Sequence, residues 1–84
     1  MLIEDVVKEI KEDLVTIFDK EPKIKMTEDY VSISVFSEKF VLTLYPYPDN
    51  QFSAILDYNE KRFVLSDTKL SDVRDLILKK VCNL

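Results

Sequence analysis

The spacing of apolar and polar residues changes period twice along the chain, and those changes mark its elements. Ile3, Val7, Ile10, Leu14 and Ile17, flanked by Leu2, Val6 and Phe18, recur at helical spacing. Glu4, Asp5, Lys8, Glu9, Lys11, Glu12 and Asp13 fall outside that stripe, which predicts a surface helix with one buried face. Glu4 and Lys8 make a favourable i,i+4 pair, and the acids of the early turns suit the positive end of the helix dipole. Pro22 disfavours helical geometry at Glu21 and predicts that the helix ends near there.

Between Tyr30 and Ser66 the period is two. Residues 30 to 36 put Val31, Ile33 and Val35 on one side and Ser32 and Ser34 on the other, and residues 39 to 45 resume with Phe40, Leu42 and Leu44. A two-residue turn at Ser37 and Glu38 pairs 35 with 40, 33 with 42 and 31 with 44. All six hydrophobes then share a face. Residues 46 to 51, with two prolines and an Asp-Asn pair, predict a connecting loop. The runs 52 to 58 and 61 to 66 form a second hairpin around Asn59 and Glu60, with Leu56 opposite Phe63, Ala54 opposite Leu65 and Asp57 opposite Arg62. The absence of glycine is the unfavourable part, because Glu60 must then accept an unusual turn conformation or the loop must be longer. Residues 23 to 29 alternate Ile24 and Met26 with lysines and are read as a loop, with a short edge strand as the other reading.

Helical spacing returns in Leu70, Val73, Ile77 and Val81, widened by Leu76 and Leu84, and predicts a helix over about residues 69 to 82. Ser66, Asp67, Thr68 and Ser71 are its candidate N-caps. Asp72, Asp75, Lys79 and Lys80 suit its dipole. Two one-faced helices and one strongly apolar sheet face predict a single α+β domain over residues 1 to 84. The expected architecture is a two-layer sandwich, a four-stranded antiparallel meander with the N- and C-terminal helices on one face, in the order α-β-β-β-β-α.

At 84 residues the chain has room for one modest core, and 46% hydrophobic with 33% charged residues is an ordinary globular balance. No apolar run is long enough to span a membrane. The net charge of −4 is concentrated early: residues 1 to 21 hold seven acids and three bases, while residues 22 to 84 hold nine of each. That balance disfavours direct nucleic-acid binding, and the weak cluster Lys20, Lys23 and Lys25 is broken by Glu21. A lone Cys82 leaves no intramolecular disulfide and no cysteine-built zinc site, and it lies off the prenylation spacing. With acids at positions 4 and 5 in place of a secretory leader, the expectation is a cytoplasmic protein without a membrane anchor.

Histidine and glycine are both absent, which removes the common general base, imidazole metal ligation, Gly-rich phosphate loops and the nucleophile elbow. Asp67, Asp72 and Asp75 read as helix capping in preference to a divalent-cation site, and Cys82 has no histidine to activate it. The expectation is no enzyme, no catalytic residues, no metal and no cofactor. Two surfaces are left. The second face of the sheet carries Val41, Thr43, Tyr45, Ile55 and Val64 among Ser32, Ser34, Asp57 and Arg62, with Tyr47 on a proline-stiffened loop nearby. The acidic side of the first helix carries Glu9, Glu12 and Asp13. The first predicts a protein-binding or regulatory module, acting on a protein partner or as a homodimer. The second predicts, as the alternative, an acidic inhibitor that mimics nucleic acid and blocks a basic site on a nucleic-acid-processing protein.

Overall fold

The computed structural model describes residues 3–47 and 51–83. Helix α1 (Ile3–Phe18) leads into strands β1 (Lys23–Met26), β2 (Val31–Val35), β3 (Phe40–Pro46), β4 (Phe52–Tyr58) and β5 (Lys61–Thr68), and helix α2 (Leu70–Val81) closes the chain. The strands lie side by side in chain order, each antiparallel to the next. The meander has five strands where the sequence predicts four, so the order is α-β-β-β-β-β-α.

The added strand is the KIKM segment. Lys23 pairs with Ser34, Ile24 with Ile33, Lys25 with Ser32 and Met26 with Val31. The turn between β1 and β2 is held by Thr27, whose backbone N–H donates to the Tyr30 carbonyl at 2.9 Å and whose Oγ1 accepts from the backbone N–H groups of Asp29 and Tyr30. Only Ile24 of this strand packs against the core, which is why a hydrophobic pattern barely registers it.

The strand registers are the predicted ones, but the first turn is not two residues: Phe36–Glu38 form a 3-10 turn and Lys39 takes a left-handed φ of 54°. Val35 faces Phe40, Ile33 faces Leu42 and Val31 faces Leu44, and the Lys39 N–H closes the turn onto the Phe36 carbonyl at 3.0 Å. Leu56 faces Phe63, Ala54 faces Leu65 and Asp57 faces Arg62 around a tight turn in which Asn59 and Glu60 both take left-handed φ values of 52° and 69°. Positive φ at both central positions is the turn that matches strand twist, here adopted without glycine.

Three boundaries differ from expectation. α1 stops at Phe18, three residues before the position that Pro22 constrains. Asp19 takes a left-handed φ of 55° and its N–H returns to the Val15 carbonyl, a termination that Asp tolerates better than most residues. β5 continues to Thr68 through a bulge, because Phe52 pairs with Thr68 while Ala54 pairs with Leu65, and Asp67 has φ 51°. The extra residue reverses the alternation and turns Thr68 into the core, where it is 3% exposed. None of Ser66, Asp67, Thr68 and Ser71 is therefore the N-cap of α2: Lys69 holds that position, and its N–H donates to the Asp72 carboxylate at 3.4 Å. β3 also runs on to Pro46, which pairs only with β4, since β2 begins opposite Leu44 and needs no N–H from residue 46. The Tyr47 N–H then donates to the Gln51 carbonyl, and the tip of the predicted loop, 48–50, lies outside the described residues.

Both helices cover one face. Val6, Val7, Ile10 and Leu14 of α1 and Val73 and Ile77 of α2 are buried on Val31, Ile33, Val35, Phe40, Leu42, Leu44, Phe52, Ala54 and Leu56. Phe63 and Leu65, on the edge strand β5, are only partly covered. Phe18, Phe40 and Tyr58 seal one end, with ring centroids 5.7 to 6.4 Å apart. Removing a filled central position such as Leu42 leaves a cavity and costs about 2 to 5 kcal/mol.

Candidate functional site

The registers arrange the uncovered face of the sheet into rows. Lys23, Ser34, Val41, Asp57 and Arg62 form one; Lys25, Ser32, Thr43, Ile55 and Val64 form the next. At the third level Tyr45 stands opposite Ser53 and packs on Tyr30 with ring centroids 6.0 Å apart. Tyr47 joins the same face through a 2.8 Å hydrogen bond between its hydroxyl and Ser53 Oγ. The six residues singled out on the sheet side in the sequence are thus brought together. Val41, Thr43 and Ile55 are half-buried by their neighbours, and Tyr45, Tyr47 and Val64 are 37%, 47% and 59% exposed.

Two charges on this face are already matched. Arg62 grips Asp57 with two hydrogen bonds, Nε to Oδ1 at 2.7 Å and Nη2 to Oδ2 at 3.2 Å. That hydrogen bonding first, and charge attraction second, holds the guanidinium above the usual arginine range. Lys23 and Lys25 form no ion pair among the described residues, so the β1 edge of the face is positive. Ser34 is an exception to the openness, being 5% exposed, with its hydroxyl donating to the Lys23 carbonyl at 3.4 Å.

The acidic side of α1 is divided. Glu9 and Asp13, one turn apart, do not face outward with Glu12: they turn toward α2, where Arg74 Nε and Nη2 donate to Asp13 at 2.7 and 3.0 Å and Nη1 reaches Glu9 at 3.3 Å. The Asp13 hydrogen bonds, then its charge, raise the Arg74 pKa above the ordinary arginine value. Glu12 remains exposed on its own. The array expected from spacing becomes an interhelical clamp with one acid left over.

Among the described residues no group of three or more His, Cys, Asp and Glu side chains is placed to hold a metal ion. Asp72 accepts from Lys69 N–H and from the Thr68 hydroxyl, and Cys82 is partly buried at the end of α2. No described helix is long and apolar enough to cross a membrane.

Three contributors escape sequence reasoning: Tyr30, the lysines of β1 and Arg74. The alternation of KIKM and the placement of Glu9 and Asp13 four residues apart were the available signals for the last two. Comparison with protein-family models, curated proteins and solved structures finds no match for this chain.

Proposed function

We propose that this chain is a small non-enzymatic protein-binding module that works through the open face of its sheet, and that the partner is a second copy. The observation that carries the reading is the continuity of Val41, Thr43, Ile55 and Val64 across three adjacent strands, bordered by Tyr30, Tyr45 and Tyr47 and uncovered by either helix. Contiguous exposed apolar surface with aromatic anchors is the usual mark of an interface, and a two-fold pair reuses one such patch.

The area limits how strong the pairing is. Five strands spaced about 4.8 Å apart and three rows of outward residues present roughly 500 Å² per copy. A face-to-face pair then buries about 1,000 Å², the lower edge for a specific interface, so the dimer is weak and concentration-dependent. Mimicry of nucleic acid by α1 is the less favoured reading, because Arg74 engages two of its three acids.

Sedimentation of the wild type beside a Val41→Glu, Ile55→Lys double variant tests this. The expected result is a wild-type mass that climbs toward the dimer with concentration and persists at high salt, with a folded variant that stays monomeric. A wild type that is monomeric at the highest concentration overturns the homodimer.

A further inference from the structure

A second region of the molecule has chemistry that neither the sheet face nor the acidic helix uses. Where the β4–β5 turn meets the end of α2, a cleft of about 460 Å³ is lined by Lys61, Lys79 and Lys80 together with Asn59, Asn83 and Phe63. Among the described residues no carboxylate lines it. In a chain of net charge −4, three ammonium groups gathered from a strand and a helix run against the composition.

The described acids nearby do not pair with them. Among the described residues Lys61, Lys79 and Lys80 form no ion pair, while Lys11, Lys20 and Lys39 each do. Glu60, beside the cleft in sequence, is drawn to Lys39 at 3.8 Å, and Asp75, one turn before Lys79, closes no ion pair with it. Complementing the negative end of the helix dipole accounts for Lys79 and Lys80. It does not account for Lys61, which arrives from β5, or for the two side-chain amides on the same wall.

We infer that this cleft is an anion site that takes a compact phosphate-bearing ligand, with the three lysines as charge partners and Asn59 and Asn83 as further N–H donors. A phosphate group is favoured over a monocarboxylate because it brings more negative charge and more acceptor oxygens to three cations. The ligand is bound by its phosphates and not by a ring, because Lys80 Nζ already lies 4.9 Å over the Phe63 ring and the lining's other ring, Tyr58, packs on Phe18 and Phe40. The site is independent of the sheet-face pairing and lies at the other end of the β4–β5 hairpin from Tyr45 and Tyr47.

The test is an NMR titration of the full chain with inorganic pyrophosphate at low ionic strength. Saturable shifts are expected at the amides of Asn59, Lys61, Lys80 and Asn83. A Lys61→Gln, Lys80→Gln variant should bind about tenfold more weakly or worse, the loss expected for charge-assisted hydrogen bonds. A Lys23→Gln, Lys25→Gln variant, with the same charge removed from the sheet face, should stay within about twofold of wild type, since screening mutes distant charges. Equal weakening in the two variants, or no saturable shift in the wild type, overturns the site and leaves the lysines as dipole partners only. Adenosine diphosphate should bind much as pyrophosphate does; binding about tenfold tighter, driven by the base, overturns the assignment of ligand class.

Discussion

The two faces of the sheet are built on the same strands in the same registers and have opposite fates. The covered face takes its bulk from Phe40, Leu42, Leu44, Phe52 and Leu56, all buried, whereas the open face has no leucine or phenylalanine in its rows and relies on Val41, Thr43, Ile55 and Val64. Large flexible side chains fill volume against helices, and β-branched ones suit a pleated surface whether or not anything lies on it. Strand propensity thus explains the valines, the isoleucine and the threonine of the open face. It leaves Tyr30 and Tyr47, which lie outside the strands, unexplained, and those are parts that the proposed pairing would use.

The contrast is broken most violently from the covered side. Leu42→Ala should lower unfolding free energy by about 2 to 5 kcal/mol in urea, while Val64→Thr, 59% exposed on the other face, should change it by less than about 0.5 kcal/mol. Comparable losses at both positions would mean that the open face is covered in solution. Next comes the clamp that holds the two helices over the core. Arg74→Met should cost about 0.5 to 1 kcal/mol at low salt, less at high salt, because the site is half-exposed and the pairing is screened. Its pH course has a definite sign. A guanidinium whose pKa is raised on folding contributes fully from neutral pH up to the ordinary arginine value and loses that contribution only above it. Titration from neutral pH to pH 10 should therefore leave the wild-type advantage over Arg74→Met unchanged.

An effect of similar size and opposite sign is expected at the turn between β4 and β5. Glu60→Gly relieves a left-handed φ of 69° and should raise stability by about 0.5 to 1 kcal/mol, read as a higher urea midpoint. Tyr45→Ser, which loses the packing on Tyr30, should cost no more than about 1 kcal/mol, yet this substitution should shift the sedimentation equilibrium toward monomer. A Tyr45→Ser protein that dimerises like wild type would remove the tyrosines from the interface.

Legibility in the sequence followed the number of constraints acting on each residue. Phe40, Leu42 and Leu44 had to agree with a turn length and with three facing hydrophobes, so one register satisfied everything and the structure adopts it. β1 offered only Ile24 to the core and escaped the pattern. The bulge at Ser66 and Asp67 is a backbone event with no hydrophobic signature, so the strand's extension to Thr68 and the capping by Lys69 were invisible. Sheet-face candidates could be named because alternation fixes sidedness. Which acids of α1 meet Arg74, and which lysines share a cleft, depends on how distant segments pack, and single-element periodicity holds no record of that.

The bulge in β5 also bears on how the molecule keeps its own company. An open sheet has two free edges, each a ladder of unpaired N–H and C=O groups on which another chain can add a strand. Here one edge is the four-residue β1 with Lys23 and Lys25, and the other is broken by a left-handed Asp67 near its end. Short length, lysines and an irregular ladder are the devices that discourage edge-to-edge growth. Copies that meet along their edges find short, charged or irregular ladders. The same kink that buries Thr68 thereby works against the open-ended stacking that leads to fibrils.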